Sequence, residues 1–547
     1  SGTVSATGGA GTIAGGAGTI YSKAGSAMTG RLVIDNGGLI GTNTPLSSLF
    51  SLPISPFDLI LNGGAAVLPM TPLPLLSNLT VGAGCLLTMM AGETNIAVTV
   101  LRDVNLAAGS VLAADGKGFS RNTGTGRGNS TSNKGSGGGY GGLGGASSSG
   151  AVGGTNYGAA SQPVDRGSGG GTGLGSSPLG GDGGGAIKLI VGGTLSLDDA
   201  RLGANGSEGL QDDSGGGSGG SVWITASAIT GSGIINADGG AGELFNGGGG
   251  GGGRIAIYSP ANTFTGLVSV AGGAGWVAGG TGTVFQSSSL IPFAAISHSP
   301  STPVSNVVSF VDVSFNAPVN PFTVDTGDVV LQVPPGAAAV TNFTVSTLSP
   351  TMLRVSFASQ SAPGNYSLLL GPAITDVLGQ PMSQVYTGGF SIVLPTVSGT
   401  VTNAAGQPMA GVQLVPSSTL SPGVSDEDGN YAVGFIPGLT FTVTPSLPGF
   451  IFVPGTRNYT NLTDAVTNEN FLAVTSITPS LTNQLSGSNL FVRWGGISGV
   501  NYQPQYSTNL VDWLPYGGVV PGTNGTMELQ IPISTDPMEF FRVKASN

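Results

Sequence analysis

One arrangement recurs four times in the first half of the chain: a short run of alternating apolar residues, closed by a small residue and glycine. Ile96-Ala97-Val98-Thr99-Val100 runs to Ala114-Asp115-Gly116-Lys117-Gly118, and Ile187-Lys188-Leu189-Ile190-Val191 runs to Ala204-Asn205-Gly206. Val222-Trp223-Ile224-Thr225 runs to Ala237-Asp238-Gly239-Gly240, and Ile255-Ala256-Ile257-Tyr258 runs to Ala271-Gly272-Gly273. Period-two alternation predicts half-buried strands. The small-Asx/Gly-Gly step predicts a turn at positive φ. A unit of this kind cannot bury its apolar face until a neighbour stacks on it. The expected result is a stacked, all-β architecture with a structural or binding role rather than a compact catalytic one.

Weaker units precede these four, at Arg31–Gly38, Asp58–Gly64 and Asn78–Gly84. Spacing varies from about 16 to about 36 residues, so the size of each unit varies with it. A right-handed parallel β-helix with loop excursions fits this pattern, and a repeated sandwich or Greek key is the alternative.

A second self-match is longer. Val4 through Tyr21 aligns without a gap on Val268 through Phe285, with every glycine of the first segment on a glycine of the second. Ile13, Ile20 and Tyr21 fall on Val277, Val284 and Phe285. Either the chain is one period of a longer tandem array, or its first strands build the same kind of unit as its last. Matching ends can stack across subunits, which makes Val4, Ile13, Ile20, Tyr21, Val268, Val277, Val284 and Phe285 candidate interface residues.

Composition narrows the function classes. Of 547 residues 99 are glycine, against a usual ~7%, and each opposes folding through its lost backbone freedom. Glycine-rich inserts lie at 118–185, 215–220 and 247–253. They read either as flexible surface loops or as extended polyglycine segments packed where no side chain fits. Charged residues make up 8% of the chain and the net charge is −11, with no basic run. That argues against nucleic acid, whose phosphates require clustered Lys and Arg. No apolar stretch is long enough to span a membrane as a helix. Cys85 is the sole cysteine, so no intrachain disulfide or thiolate metal site is expected, and its apolar neighbours make it a small core residue. Ser1-Gly2-Thr3 reads as a processed or truncated start. An extracellular or cell-surface location follows from composition and module type.

Near Ile296 glycine thins out and short Val/Phe/Thr strands alternate with Pro and Asn turns. Residues 296–393, through Ser297-His298-Ser299-Pro300, Val313-Ser314-Phe315-Asn316 and Gly364-Asn365-Tyr366-Ser367, resemble the bacterial Ig-like modules of surface proteins. That resemblance implies a seven-stranded sandwich acting as a spacer or interaction module. Residues 396–474 carry Val397-Ser398-Gly399-Thr400-Val401, Gly406-Gln407-Pro408-Met409-Ala410-Gly411-Val412 and Ser425-Asp426-Glu427-Asp428-Gly429-Asn430-Tyr431. They resemble the carboxypeptidase regulatory-like, transthyretin-like module, which implies a non-catalytic stalk or adhesion unit. Residues 475–547 are similar to fibronectin-III-like C-terminal modules, with Trp494, Tyr506 and Trp513 as expected core aromatics. The expected fold is therefore a glycine-rich parallel β-helix or solenoid over 1–292 followed by three β-sandwich domains.

Material for catalysis is scarce. His298 is the only histidine and is expected to make a structural hydrogen bond at a domain junction. Asp198, Asp199, Asp212 and Asp213 beside Arg201 are the one acidic group that a β-helix polysaccharide-degrading enzyme could use, and they read equally as solvated turn residues. No catalytic residue or organic cofactor is assigned. Calcium is the one candidate ion, at Asp426, Asp428 and Asn430, a close-set oxygen cluster lacking the distal bidentate Glu of an EF-hand. The reading favoured by the sequence is a non-catalytic extracellular protein that self-assembles into a filament, sheath or surface layer, a homopolymer joined by end-to-end or strand-addition contacts. The alternative is a monomeric adhesin or glycan-binding stalk.

Overall fold

The computed structural model describes residues 4–25, 29–46, 56–69, 73–90, 96–173, 180–209, 213–418, 421–475, 481–533 and 539–546. The fold is all-β; among these residues the helical elements are two three-residue 3-10 turns, Pro321–Thr323 and Thr326–Asp328. Two sheets organise the first part. One follows the order Ile20–Ser22, Arg31–Asp35, Phe57–Asn62, Leu76–Val81, Ile96–Val100, Ala186–Leu197, Ser221–Gly231, Arg254–Tyr258, Thr283–Ser287. The other runs from Thr44–Leu46 through Ala66–Pro69, Leu86–Leu87, Val111–Ala113, Arg201–Gly203 and Ile234–Asn236 to Leu267–Ser269. The chain alternates between them, one strand in each, and the strands of successive passes pair in parallel.

Register explains why the apolar alternation recurs. Ile187 pairs with Val222, Val222 with Ile255 and Ile255 with Val284, so the inward residues of each pass lie in columns. Leu189, Ile224, Leu202 and Ile235 are fully buried in one core between the sheets. Each contributes roughly 1.5–3 kcal/mol of burial, which offsets the cost of ordering so much glycine. Cys85 lies in the same core, and burial raises its thiol pKa.

The described residues of the glycine inserts are packed. Beyond the two sheets the passes continue as extended segments that pack on one another, and residues 247–253 show the rule. Gly249 and Gly252 donate their N–H groups to Val277 and Gly280, Gly250 and Gly253 to Gly240 and Ala237, and Gly248 and Gly251 to Gly135 and Gly138. Every third residue turns to the same neighbour, which is the threefold geometry of polyproline II. A Cβ on Gly137 would overlap the Gly249 carbonyl, one on Gly249 that of Gly273, and one on Gly250 that of Gly217. Glycine is required there for close approach. Serines at 136, 168, 214 and 218 are the fully buried exceptions; Ser168 and Ser218 each accept a backbone N–H through Oγ. Where the bundle meets the sheet, the Tyr140 hydroxyl lies 2.7 Å from Ser221 Oγ, and Arg254 donates to the Tyr157 carbonyl through Nε and Nη2.

The turns differ from expectation. Gly37, Gly38, Gly63, Gly64, Gly84 and Gly116 adopt positive φ, but Gly206, Gly239 and Gly272 do not. At those three positions the chain starts an extended bundle segment instead of turning.

After residue 292 the strands form pairs of small antiparallel-rich sheets. Ala295–Ser299, Val308–Phe315, Met352–Gln360 and Phe343–Ser349 make one, and Val329–Gln332, Gly364–Leu370 and Tyr386–Ile392 the other, around one core that includes Phe315, Tyr366 and Phe390. Residues 396–475 and 482–546 each supply two further sheets with their own cores, centred on Val401, Phe441 and Phe471 and on Trp494, Tyr502 and Ile531. Trp494 is in the last core as expected, but Tyr506 and Trp513 are only half-buried. Trp513 instead lies beneath Arg542, whose Cζ is 4.2 Å from its ring centroid.

Candidate functional site

The two matching segments occupy opposite edges of the large sheet. Ile20–Ser22 is one terminal strand and Thr283–Ser287 the other. The glycine hairpins ahead of them are built alike. Gly15 donates to the Gly9 carbonyl at 2.9 Å and Gly18 to that of Ala6; at equivalent positions Gly279 donates to Gly273 at 2.9 Å and Gly282 to Val270. A Cβ on Gly8 would overlap the Gly15 carbonyl, as one on Gly272 would overlap that of Gly279. The matching glycines therefore encode hairpins with the same two backbone hydrogen bonds. They are anchored differently: Gly8 donates to Asn36 Oδ1, whereas Gly273 donates to the Gly250 carbonyl.

The strands after the hairpins diverge. Thr283–Ser287 continues the parallel series. Ile20–Ser22 runs antiparallel to Arg31–Asp35, with Ile20 opposite Val33. Of the eight candidate interface residues, Val4, Ile13, Tyr21, Val277 and Val284 are exposed. Ile20 and Phe285 are half-buried, Phe285 lying 5.5 Å from Tyr258. Val268 packs on the inter-sheet core. Hairpin tips near the last pass add exposed Leu244, Phe245 and Trp276, Phe245 being 77% exposed.

Sequence spacing concealed a second feature, a ladder of Asx side chains along one corner of the stack. Asp115 Oδ1 accepts the Asn205 N–H at 2.7 Å, Asn205 Oδ1 accepts that of Asp238 at 2.8 Å, and Asp238 Oδ1 accepts that of Ala271 at 2.7 Å. The last two steps are each 33 residues. The ladder stops at Ala271, which has no side-chain acceptor. Asn78 and Asp103 repeat the device elsewhere, Asp103 Oδ1 accepting the Thr194 N–H at 2.8 Å. The recurring Asx before glycine was the available signal; what it caps lies one pass away.

The described members of the acidic group do not converge on Arg201. Arg201 pairs with Asp115. Asp199 sits in the left-handed region and accepts from Ser232 Oγ, while Asp213 accepts from Asn246 Nδ2. Asp198 is exposed in the same turn as Asp199, and Asp212 lies outside the described residues. At the calcium candidate, Asp426 Oδ1 accepts the N–H groups of Asp428 and Asn430 at 3.1 and 2.8 Å, so this oxygen already organises the turn. No cluster of three or more His, Cys, Asp or Glu side chains suited to a metal occurs among the described residues. His298 has the expected structural role: Nδ1 is 2.7 Å from the Tyr386 hydroxyl, and Nε2 meets the backbone of Gly389. No described helix is long and apolar enough to cross a membrane.

No protein-family pattern matches the chain, and no curated protein matches it. Among solved structures, the N-terminal part of the bacterial S-layer protein SbsC is 14% identical over 34% of this chain and 44% of its own, at a TM-score of 0.16. BcpA, the major pilin subunit of Bacillus cereus, is 14% identical over 36% of this chain and 75% of its own, at 0.17. The TIE protein of Bacillus anthracis is 10% identical over 48% and 56%, also at 0.17. The match thus spans less than half the length of the SbsC structure. TM-scores this low do not establish a shared fold.

Proposed function

We propose that the chain is a non-catalytic structural protein of the bacterial cell surface that assembles head to tail. In this reading residues 1–292 are a glycine-rich β-solenoid, and 296–393, 396–474 and 475–547 are three β-sandwich modules carried on it. The observation behind the assembly is the placement of two alike hairpins, each leading into a strand at one edge of the same sheet among the described residues. Unpaired edge strands are templates for strand addition, and here the exposed apolar residues Tyr21 and Val284 lie on them. All strands from Arg31–Asp35 to Thr283–Ser287 share one direction, and Ile20–Ser22 opposes it. A joint between the two edges is therefore antiparallel, as is the pairing of Ile20–Ser22 with Arg31–Asp35 on its other side. Low charge, glycine content and the module resemblances support the surface location.

Electron microscopy of the purified chain at neutral pH tests the reading. Regular filaments or sheets are expected. Dispersed monomers at every concentration would overturn it in favour of an adhesin, for which the exposed Phe245 and Trp276 at the hairpin tips would be the first sugar-stacking candidates.

A further inference from the structure

Lys188, Trp223, Ala256 and Phe285 form one row across the outer face of the large sheet, in register on four neighbouring strands. Such a row would ordinarily face solvent. Here the segment after the last strand folds back over it, with Leu290 and Ile291 packed against Trp223, Ala256 and Tyr258. The turn at Asp376–Gln380 closes the opposite side, and Gln380 Nε2 donates to the Ile291 carbonyl at 3.3 Å. Between these walls lies a cleft of about 130 Å³ whose polar lining includes Lys188, Trp223, Thr225, Asn316, Asp376 and Gln380.

The polar groups in this cleft are unbalanced. The Lys188 ammonium lies 4.2 Å from the Trp223 ring centroid and has no carboxylate partner among the described residues. Burial draws its pKa below the ordinary lysine value. Trp223 is 8% exposed and its Nε1 has no acceptor in the protein. Asp376, the one carboxylate in the lining, is committed elsewhere. Its Oδ1 accepts the N–H groups of Leu378 and Gln380 at 2.9 Å each, and its Oδ2 accepts from Gln380 Nε2 at 3.0 Å. Asn316 is likewise engaged, accepting from the Ala294 N–H and donating to the Pro292 carbonyl. Lys188 is therefore the one formal charge in the lining with neither an opposite charge nor a hydrogen-bond partner among the described residues, beside the neutral amides of Gln162 and Gln380, in a chain of net charge −11.

We infer that this cleft binds a carboxylate, with the Lys188 ammonium as counter-ion and the Thr225 hydroxyl as a donor. A charge-assisted contact to Lys188 is what such a group supplies. Size sets the limit. At about 130 Å³ the cleft is small, and a carboxylate with the carbon bearing it is the part of a ligand it would take. Two sources present that group: a small free acid, or a uronic acid residue projecting its carboxylate from an acidic polysaccharide. This inference does not depend on head-to-tail assembly.

The test is titration of the full chain with acetate, D-glucuronate and D-glucose at constant ionic strength, read by calorimetry and by indole fluorescence with Trp223→Phe as the control. Saturable binding of at least one carboxylate, absence of glucose binding, at least tenfold weakening in Lys188→Met and retention in Lys188→Arg are expected. Tighter binding of glucuronate than acetate identifies the uronate source, and the reverse order the free acid. Absence of saturable carboxylate binding by the wild-type chain overturns the inference without any variant. Equal binding of glucose, or undiminished binding in a folded Lys188→Met, also overturns it.

Discussion

Arg201 grips Asp115 end-on from the next pass of the chain, Nη1 to Oδ2 at 2.6 Å and Nη2 to Oδ1 at 2.7 Å. The same carboxylate accepts the Asn205 N–H, so one side chain holds both the charge and the backbone of its neighbour. Asp115 is partly exposed, which screens the ion pair. Asp115→Ala should therefore cost about 1–2 kcal/mol, mostly through the lost backbone cap and the stranded guanidinium. Hydrogen exchange at the Asn205 amide should accelerate in this variant. Asn205→Ala should transfer the effect one pass along, to the Asp238 amide.

The glycine bundle makes a sharper demand. Gly249→Ala would drive a methyl group into the Gly273 backbone, and backbone cannot swing aside as a side chain can. Overpacking of this kind costs roughly 1–3 kcal/mol, and protection of the 247–253 amides should fall. Gly25 has open space at its Cβ position and ordinary φ, so Gly25→Ala should stay within about 0.5 kcal/mol. Equal effects from the two substitutions would mean that the inserts are not packed.

Alkaline pH should loosen the junction between bundle and sheet. Burial pushes the Tyr140 hydroxyl up to about 12, with the Ser221 hydrogen bond acting in the opposite direction. The unfolded chain releases this proton near pH 10. The contribution to stability is thus complete below about pH 10 and is lost as pH rises through about 12. Tyr157, Tyr431 and Tyr459 are raised in the same direction, mainly by burial. Circular dichroism across pH 8 to 12 should show stability falling above about 10, with a shallower fall in Tyr140→Phe.

At the 426–430 turn the expected agent is the Asp426 carboxylate itself. Asp426→Ala should destabilise that module by about 1 kcal/mol through two lost hydrogen bonds, equally in calcium and in chelator. A calcium-dependent rise in the wild-type melting temperature, absent in the variant, would instead assign a metal to the turn.

Much of this architecture is local information. The alternation at Ile187–Val191 and Val222–Thr225 marks the strands and their inward columns, and the 4–21 and 268–285 match marks two hairpins built alike. Residues whose partners lie a pass or more away were not legible. Asn205-Gly206 has the composition of a turn but caps the strand stacked on it, because the neighbouring backbone is close enough to use the side chain. Arg201 sits next to Asp198 and Asp199 in sequence yet pairs with Asp115, 86 residues earlier. Lys188 reads as a solvated outward residue of its strand, and only the return of 290–291 and the 376–380 turn encloses it. The antiparallel course of Ile20–Ser22 likewise depends on its pairing with Arg31–Asp35 and not on its own composition.

Cross-linking of the two sheet edges tests head-to-tail assembly most directly. In a Cys85→Ser background, Tyr21→Cys and Val284→Cys would be introduced together and oxidised mildly at neutral pH. A ladder of disulfide-linked oligomers is expected from the double variant, collapsing to monomer on reduction, while each single variant stops at dimer or monomer. A double variant that remains monomeric under all oxidising conditions would contradict the joint.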